Sequence, residues 1–156
     1  MLKFPTWLRW LLITLGLATL IITAGSYAWR FIINPCEAAE VADLSTILKT
    51  QLGMYDRVYQ VATTSLSGDL DPPLLVMQTV QMDTQQIEVP ACMETAKQEL
   101  VSYMDTVIQA FRLWEQAGGS TPQFQSLIQQ SDTHYGNFRA ELENLAACAP
   151  YCLPFK

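Results

Sequence analysis

The sequence predicts an all-α protein: an N-terminal single transmembrane helix followed by an antiparallel, up-down-up-down four-helix bundle stabilised by disulfides. Three observations carry this. The twenty residues from Trp10 to Trp29 contain no charge. Every later periodic segment repeats its apolar residues three and four apart, and none sustains the alternation of a strand. All four cysteines lie after the uncharged run.

The 156 residues leave room for one membrane segment and a domain of about 120 residues. Half the chain is apolar and only 15% is charged, against about 25% in ordinary soluble domains. The deficit is not spread evenly, and the uncharged run accounts for the chain's positive mean hydropathy. At about 1.5 Å per residue it spans about 30 Å, the thickness of a bilayer's hydrocarbon core. Trp7, Trp10, Tyr27 and Trp29 sit at its ends, where amphipathic rings prefer the headgroup level. Lys3, Arg9 and the terminal amine precede it, and Glu37, Glu40 and Asp43 follow. The positive-inside rule therefore makes 1–9 a cytoplasmic tail, 10–30 the anchor and 36–152 an extracytoplasmic domain. Ser26-Tyr27-Ala28 would suit a signal peptidase, but the apolar run exceeds a signal's usual length, so a retained signal-anchor is preferred. Asn34-Pro35 before Cys36 argues against lipid attachment. Thr14 with Ala18, Thr19 with Thr23, and Gly25 beside Ala24 and Ala28 would let a second membrane helix approach closely.

The first bundle helix is expected from about Glu37 to Leu66, with Val41, Leu44, Leu48, Leu52, Tyr55, Tyr59, Ala62 and Leu66 inward and Ser67-Gly68 ending it. The second follows Asp71-Pro72-Pro73, where Asp71 can cap and prolines fit a first turn. It turns Leu74, Met77, Val80 and Ile87 inward and stops before Pro90. The third begins at about Ala91, with a stripe of Met93, Ala96, Leu100, Met104, Val107, Phe111 and Trp114, and Gly118-Gly119 closes it. Thr121-Pro122 opens the fourth, with Phe124, Ile128, Tyr135, Phe138, Leu142 and Leu145 inward and Ala149-Pro150 at its end. Short connections favour antiparallel neighbours. Gly53 and Gly136 interrupt good helices; close helix approach is the preferred explanation, and a ligand slot between helices one and four the alternative.

That topology gathers Cys36, Cys92, Cys148 and Cys152 at the membrane-proximal end. Four exported cysteines suggest two disulfides rather than zinc. Cys36–Cys92 with Cys148–Cys152 is the favoured pairing, and the other two connectivities stay open.

From Phe31 onward six Lys and Arg stand against fifteen Asp and Glu, a net charge of −9. Phosphate neutralisation needs the opposite sign, so nucleic acid is excluded as a partner. A basic partner surface or cations would suit the domain, and solubility alone also explains its charge. His134 is the one histidine. Di-iron sites need two Glu-x-x-His pairs, zincins His-Glu-x-x-His, and bis-histidine haem two imidazoles, so all three are excluded by count. Haem held by His134 with Met77 or Met104 survives arithmetically, but His134 lies beside the apolar stripe, where a boundary histidine is the better reading. Ser131, Asp132 and His134 resemble a hydrolase triad only in composition, since one helical turn does not aim them at each other. Met77, Met93 and Met104 fall on core stripes and read as packing. No catalytic residue, metal or cofactor is expected.

The exported part also resembles a loose group of uncharacterised membrane- or lipid-anchored helical domains of cyanobacteria and Chloroflexi-type bacteria. The resemblance rests on Pro35-Cys36, Val89-Pro90-Ala91-Cys92, Ala96-Lys97, Leu100, Met104 and Phe111, across most of Cys36 to Glu143. It implies a bundle and a Cys36–Cys92 bridge, and carries no activity. The Cys148/Cys152 pair departs from that pattern, as does the absence of a lipobox. The expected role is a non-enzymatic interaction protein, an accessory or assembly subunit whose partners are membrane proteins. A bundle binding a small molecule or cofactor is the alternative.

Overall fold

The structure, a computed structural model, describes residues 38–65 and 69–147. The chain divides into two units, Met1–Pro35 and Cys36–Lys156, and every described residue belongs to the second. It contains four helices: α1 (Ala38–Thr64), α2 (Asp71–Gln86), α3 (Glu94–Ala117) and α4 (Pro122–Ala147), with no strand among the described residues. None of these helices is long and apolar enough to cross a membrane. The expected anchor at 10–30, with Thr14, Ala18, Thr19, Thr23 and Gly25, lies outside the described residues.

Side-chain pairs establish the helix directions. Trp114 meets Phe124 and Tyr103 meets Tyr135, with ring centroids 5.0 and 5.5 Å apart. Each step back along α3 is therefore a step forward along α4, as in an antiparallel hairpin. Gln81 with Asp105, and Lys97 with the Ile87 carbonyl, set the same antiparallel sense for α2 and α3. Tyr55 reaches Met104 and Tyr59 reaches Phe111, so α1 and α3 run parallel. This is the up-down-up-down order. Backbones approach around the ring α1–α2–α3–α4 and across the α1–α3 diagonal, whereas α2 and α4 stay apart.

Local chemistry ends the helices where turns are needed. Leu70, not Asp71, holds the cap position of α2 and makes no side-chain cap bond; Asp71 is the first helical residue and its N–H donates to the Asp69 carboxylate at 3.0 Å. The Pro90 carbonyl accepts the Met93 N–H at 2.8 Å, so α3 begins at Glu94, three residues later than the periodicity suggests. Gly118 takes φ 67°, and the Gly119 N–H returns to the Trp114 carbonyl, closing α3 through a left-handed residue that glycine adopts at little cost. The Thr121 hydroxyl accepts the Phe124 N–H at 3.1 Å and caps α4.

The inward stripes pack as their spacing requires. Val41, Leu48, Leu52, Tyr55 and Ala62 of α1 are buried with Leu74, Met77 and Val80 of α2. Met93, Ala96, Leu100, Met104, Val107 and Phe111 join them from the α3 segment, and Phe138, Leu142 and Leu145 from α4. Leu44, Tyr59, Ile87, Trp114 and Tyr135 pack against this cluster from its edge. The helix α3 is buried more widely than one stripe allows, since Tyr103, Thr106, Ile108 and Ala110 are buried too. It touches all three other helices, and that surrounds it.

Cys92 packs against the core and is disulfide-bonded. Cys36, Cys148 and Cys152 lie outside the described residues. Close helix approach does not explain the two helical glycines: a Cβ built on Gly53 or Gly136 meets nothing within 4 Å.

Candidate functional site

Clefts open on either side of α3, and two of them hold the titratable residues of interest. The wider one, about 450 Å³, lies on the α2 side. Its walls are amide-rich, with Gln81, Gln85, Gln109 and Gln130 around Asp105. Gln81 donates to Asp105 Oδ1 at 3.2 Å and Gln109 donates to Oδ2, so this carboxylate is already hydrogen-bonded. At the same cleft His134 Nδ1 is 2.7 Å from Glu99 Oε2, each side chain about one quarter exposed. The histidine thus joins α4 to α3 at the domain boundary, where its sequence position had suggested.

The second cleft, about 200 Å³, is a slot between α1 and α4 with α3 as its floor. Asp56 and Tyr59 line it from α1, Tyr103 and Val107 from α3, and Ser131, Asp132 and Tyr135 from α4. This cleft between helices one and four is lined by tyrosines and aspartates and not by Gly53 or Gly136, the glycines that a ligand slot was to explain. These lining residues fall on helix faces at three- and four-residue spacing, so the same periodicity that forms the core also brings them together.

The slot is aromatic and acidic. Tyr103 is nearly buried, and its ring lies 5.5 Å from Tyr135 and 5.7 Å from Tyr55. The Tyr103 hydroxyl donates to Asp56 Oδ1 across 3.4 Å. Behind it the Tyr55 hydroxyl donates to the Met104 carbonyl at 2.6 Å and holds the floor in place. Among the described residues neither Asp56 nor Asp132 has an ion-pair partner, and no Lys or Arg lines the slot.

Burial shifts the titration of these groups. It raises the Asp56 carboxyl above its ordinary range, partly offset by the Tyr103 hydrogen bond, which favours the ionised form. It also raises the Tyr59 phenol, with Asp132 and then Asp56 adding to the effect. The Tyr103 phenol rises by burial and then by the charge of Asp56. Tyr59 and Tyr103 therefore stay neutral at physiological pH.

The residues resembling a triad face different ways. Ser131 is buried, with its hydroxyl donating to the Ile128 carbonyl at 2.7 Å. Asp132 opens onto the α1–α4 slot, and His134 onto the α2-side cleft. Met77 and Met104 are wholly buried in the apolar core. No group of three or more His, Cys, Asp and Glu side chains arranged to hold a metal occurs among the described residues. The chain matches no protein-family model, no curated protein and no solved structure.

Proposed function

We propose that this chain is a non-enzymatic, membrane-anchored interaction protein, an accessory or assembly subunit of a membrane protein complex. Residues 1–9 form the cytoplasmic tail, 10–30 the anchor, and the bundle is extracytoplasmic. Cys36–Cys92 ties the start of the domain to the base of α3, and Cys148–Cys152 closes its C-terminal turn. Thr14, Ala18, Thr19, Thr23 and Gly25 provide the close-packing face of the membrane helix.

The observation that carries this reading is the outer surface of α1 and α2. Ile47, Met54 and Val61 of α1 recur every seven residues, and Leu75 and Met82 of α2 have the same spacing, with Val76 beside them. All six are between 36% and 65% exposed. A seven-residue repeat of large apolar side chains keeps one seam of a helix facing outward, which is the pattern a partner helix packs against. Scattered exposed apolar residues are ordinary, but a repeated row on each of two adjacent helices supports a contact surface.

The test is gentle detergent extraction of the full-length protein from its native membrane, then native electrophoresis and mass spectrometry of what co-migrates. A defined complex that is lost with Met54→Lys or Leu75→Lys supports the subunit reading. A lone chain removes it. The second reading, a small-molecule binder, is favoured by the α1–α4 slot.

A further inference from the structure

We propose that the α1–α4 slot binds an organic cation, a guanidinium or alkylammonium group, among Tyr59, Tyr103 and Tyr135 with Asp56 and Asp132 as its counter-charges. The chemistry of the lining sets this class. Tyrosine faces attract cations through the ring quadrupole, and do so more strongly where water is excluded. Tyr103 is 9% exposed and stands at the floor, while Asp132 is exposed at the rim. A cation entering at Asp132 therefore moves toward a drier aromatic surface.

The two carboxylates give the slot its sign. Neither is ion-paired among the described residues. Asp56 makes one hydrogen bond, a long one, to Tyr103. Burial raises its pKa, so its charge is held at a cost in stability that a bound cation would relieve. Asp105 in the other cleft contrasts with this, since two glutamine amides already satisfy it.

Size and donor set narrow the class further. About 200 Å³ is below the roughly 300–1,000 Å³ of clefts that enclose drug-sized ligands. It suits a side-chain head or a small ammonium ion. A hard metal ion wants six or more oxygen ligands, whereas aromatic walls with two carboxylates suit a weakly hydrated organic cation.

The cation has two sources, a basic side chain of a partner protein or a free small ammonium compound. The inference does not need the outer face of α1 and α2, so it can fail or stand separately from the subunit reading. A complex that assembles around an inert slot removes this inference alone. A slot that binds cations in a lone chain removes only the subunit reading.

The experiment is a titration of the full-length chain in neutral detergent, following tyrosine ring resonances at constant ionic strength. The probes are N-acetyl-arginine amide, a Gly/Ser-flanked arginine peptide and tetramethylammonium, with sodium chloride as control. Saturable shifts of Tyr59, Tyr103 and Tyr135 are expected, with affinity falling about tenfold or more in Asp56→Asn. A tighter peptide identifies a partner side chain, and tighter tetramethylammonium a free ligand. Absence of saturation with every organic probe overturns the proposal, as does equal affinity in the variant. Asp56→Asn is expected to melt no lower than the parent, because it removes a carboxylate that burial disfavours. Should it melt lower, Asp132→Asn at the exposed rim makes the same test without touching the floor.

Discussion

Tyr55 shows how one side chain serves both the core and the slot. Its ring fills space between α1 and α3, and its hydroxyl is spent on the Met104 carbonyl. Replacing it with phenylalanine should cost about 1 kcal/mol, measured by urea unfolding. Its phenol, like that of Tyr103, is raised well above its ordinary value, by burial first and then by neighbouring groups. The folded state then holds protons that the unfolded chain has released. Stability is fully present below the ordinary tyrosine pKa of about 10 and falls as pH rises beyond it. The unfolding midpoint should hold to about pH 9 and drop above about pH 10. Tyr55→Phe with Tyr103→Phe should flatten that drop, and an equally steep loss in the double variant would remove the tyrosines as its cause. Gly53 and Gly136 make the opposite kind of prediction. With open space around each, alanine at either position should raise stability by up to about 1 kcal/mol through helix propensity and a less flexible unfolded chain. A lower melting temperature in either variant would mean that a neighbour does approach there.

Among the elements, α3 is the helix on which the domain depends. Leu100 and Met104 are wholly buried and Phe111 nearly so, and three helices surround them. Leu100→Ala should cost about 2–5 kcal/mol and Phe111→Ala about 3–5, whereas Leu75→Ala on the outside of α2 should stay within about 0.5. Chemical denaturation of the three variants side by side checks the contrast; a Leu75 variant as damaged as Leu100 would mean that the α2 surface is covered. Buried polar groups do not weaken α3. Thr106, like Thr84 on α2 and Ser131 on α4, turns its hydroxyl back to a carbonyl of its own helix at 2.7 Å. These three helices thus satisfy their buried Ser and Thr hydroxyls internally, whereas the buried Tyr55 hydroxyl crosses from α1 to α3.

At the scale of the whole molecule, the cross-link at Cys92 restricts the unfolded chain. It sits where the chain turns from α2 into α3, beside Met93 in the core. Constraining the unfolded chain there should be worth about 2–4 kcal/mol. Reduction should lower the melting temperature clearly, and an unchanged midpoint would show that the bond contributes nothing to stability. The net charge of −9 beyond Phe31 acts over the same scale: it favours basic partners and repels anionic surfaces. In the slot two of those charges, Asp56 and Asp132, stand without an ion-pair partner among the described residues.

Spacing by itself determined which residues enter the core. Val41, Leu48, Leu52, Tyr55, Met77, Leu100, Met104 and Phe138 are all where three- and four-residue periodicity puts them, because a helix repeats every 3.6 residues whatever it packs against. Turn chemistry likewise determined the helix ends at Gly118 and Thr121. It misplaced the start of α3, where the Pro90 turn takes three residues from the helix, and it made Asp71 the cap of α2, whereas Asp71 is the first residue of that helix and donates its N–H to Asp69. Only the tertiary structure decided what depends on distances between helices. The packing of α3 against all three other helices, closest with α4, buries Tyr103, Ile108 and Ala110, which lie off the stripe. Between α1 and α4 the slot opens at Asp56, Tyr59, Asp132 and Tyr135. Periodicity fixes an angle around one helix axis, and a cavity requires the separation of several.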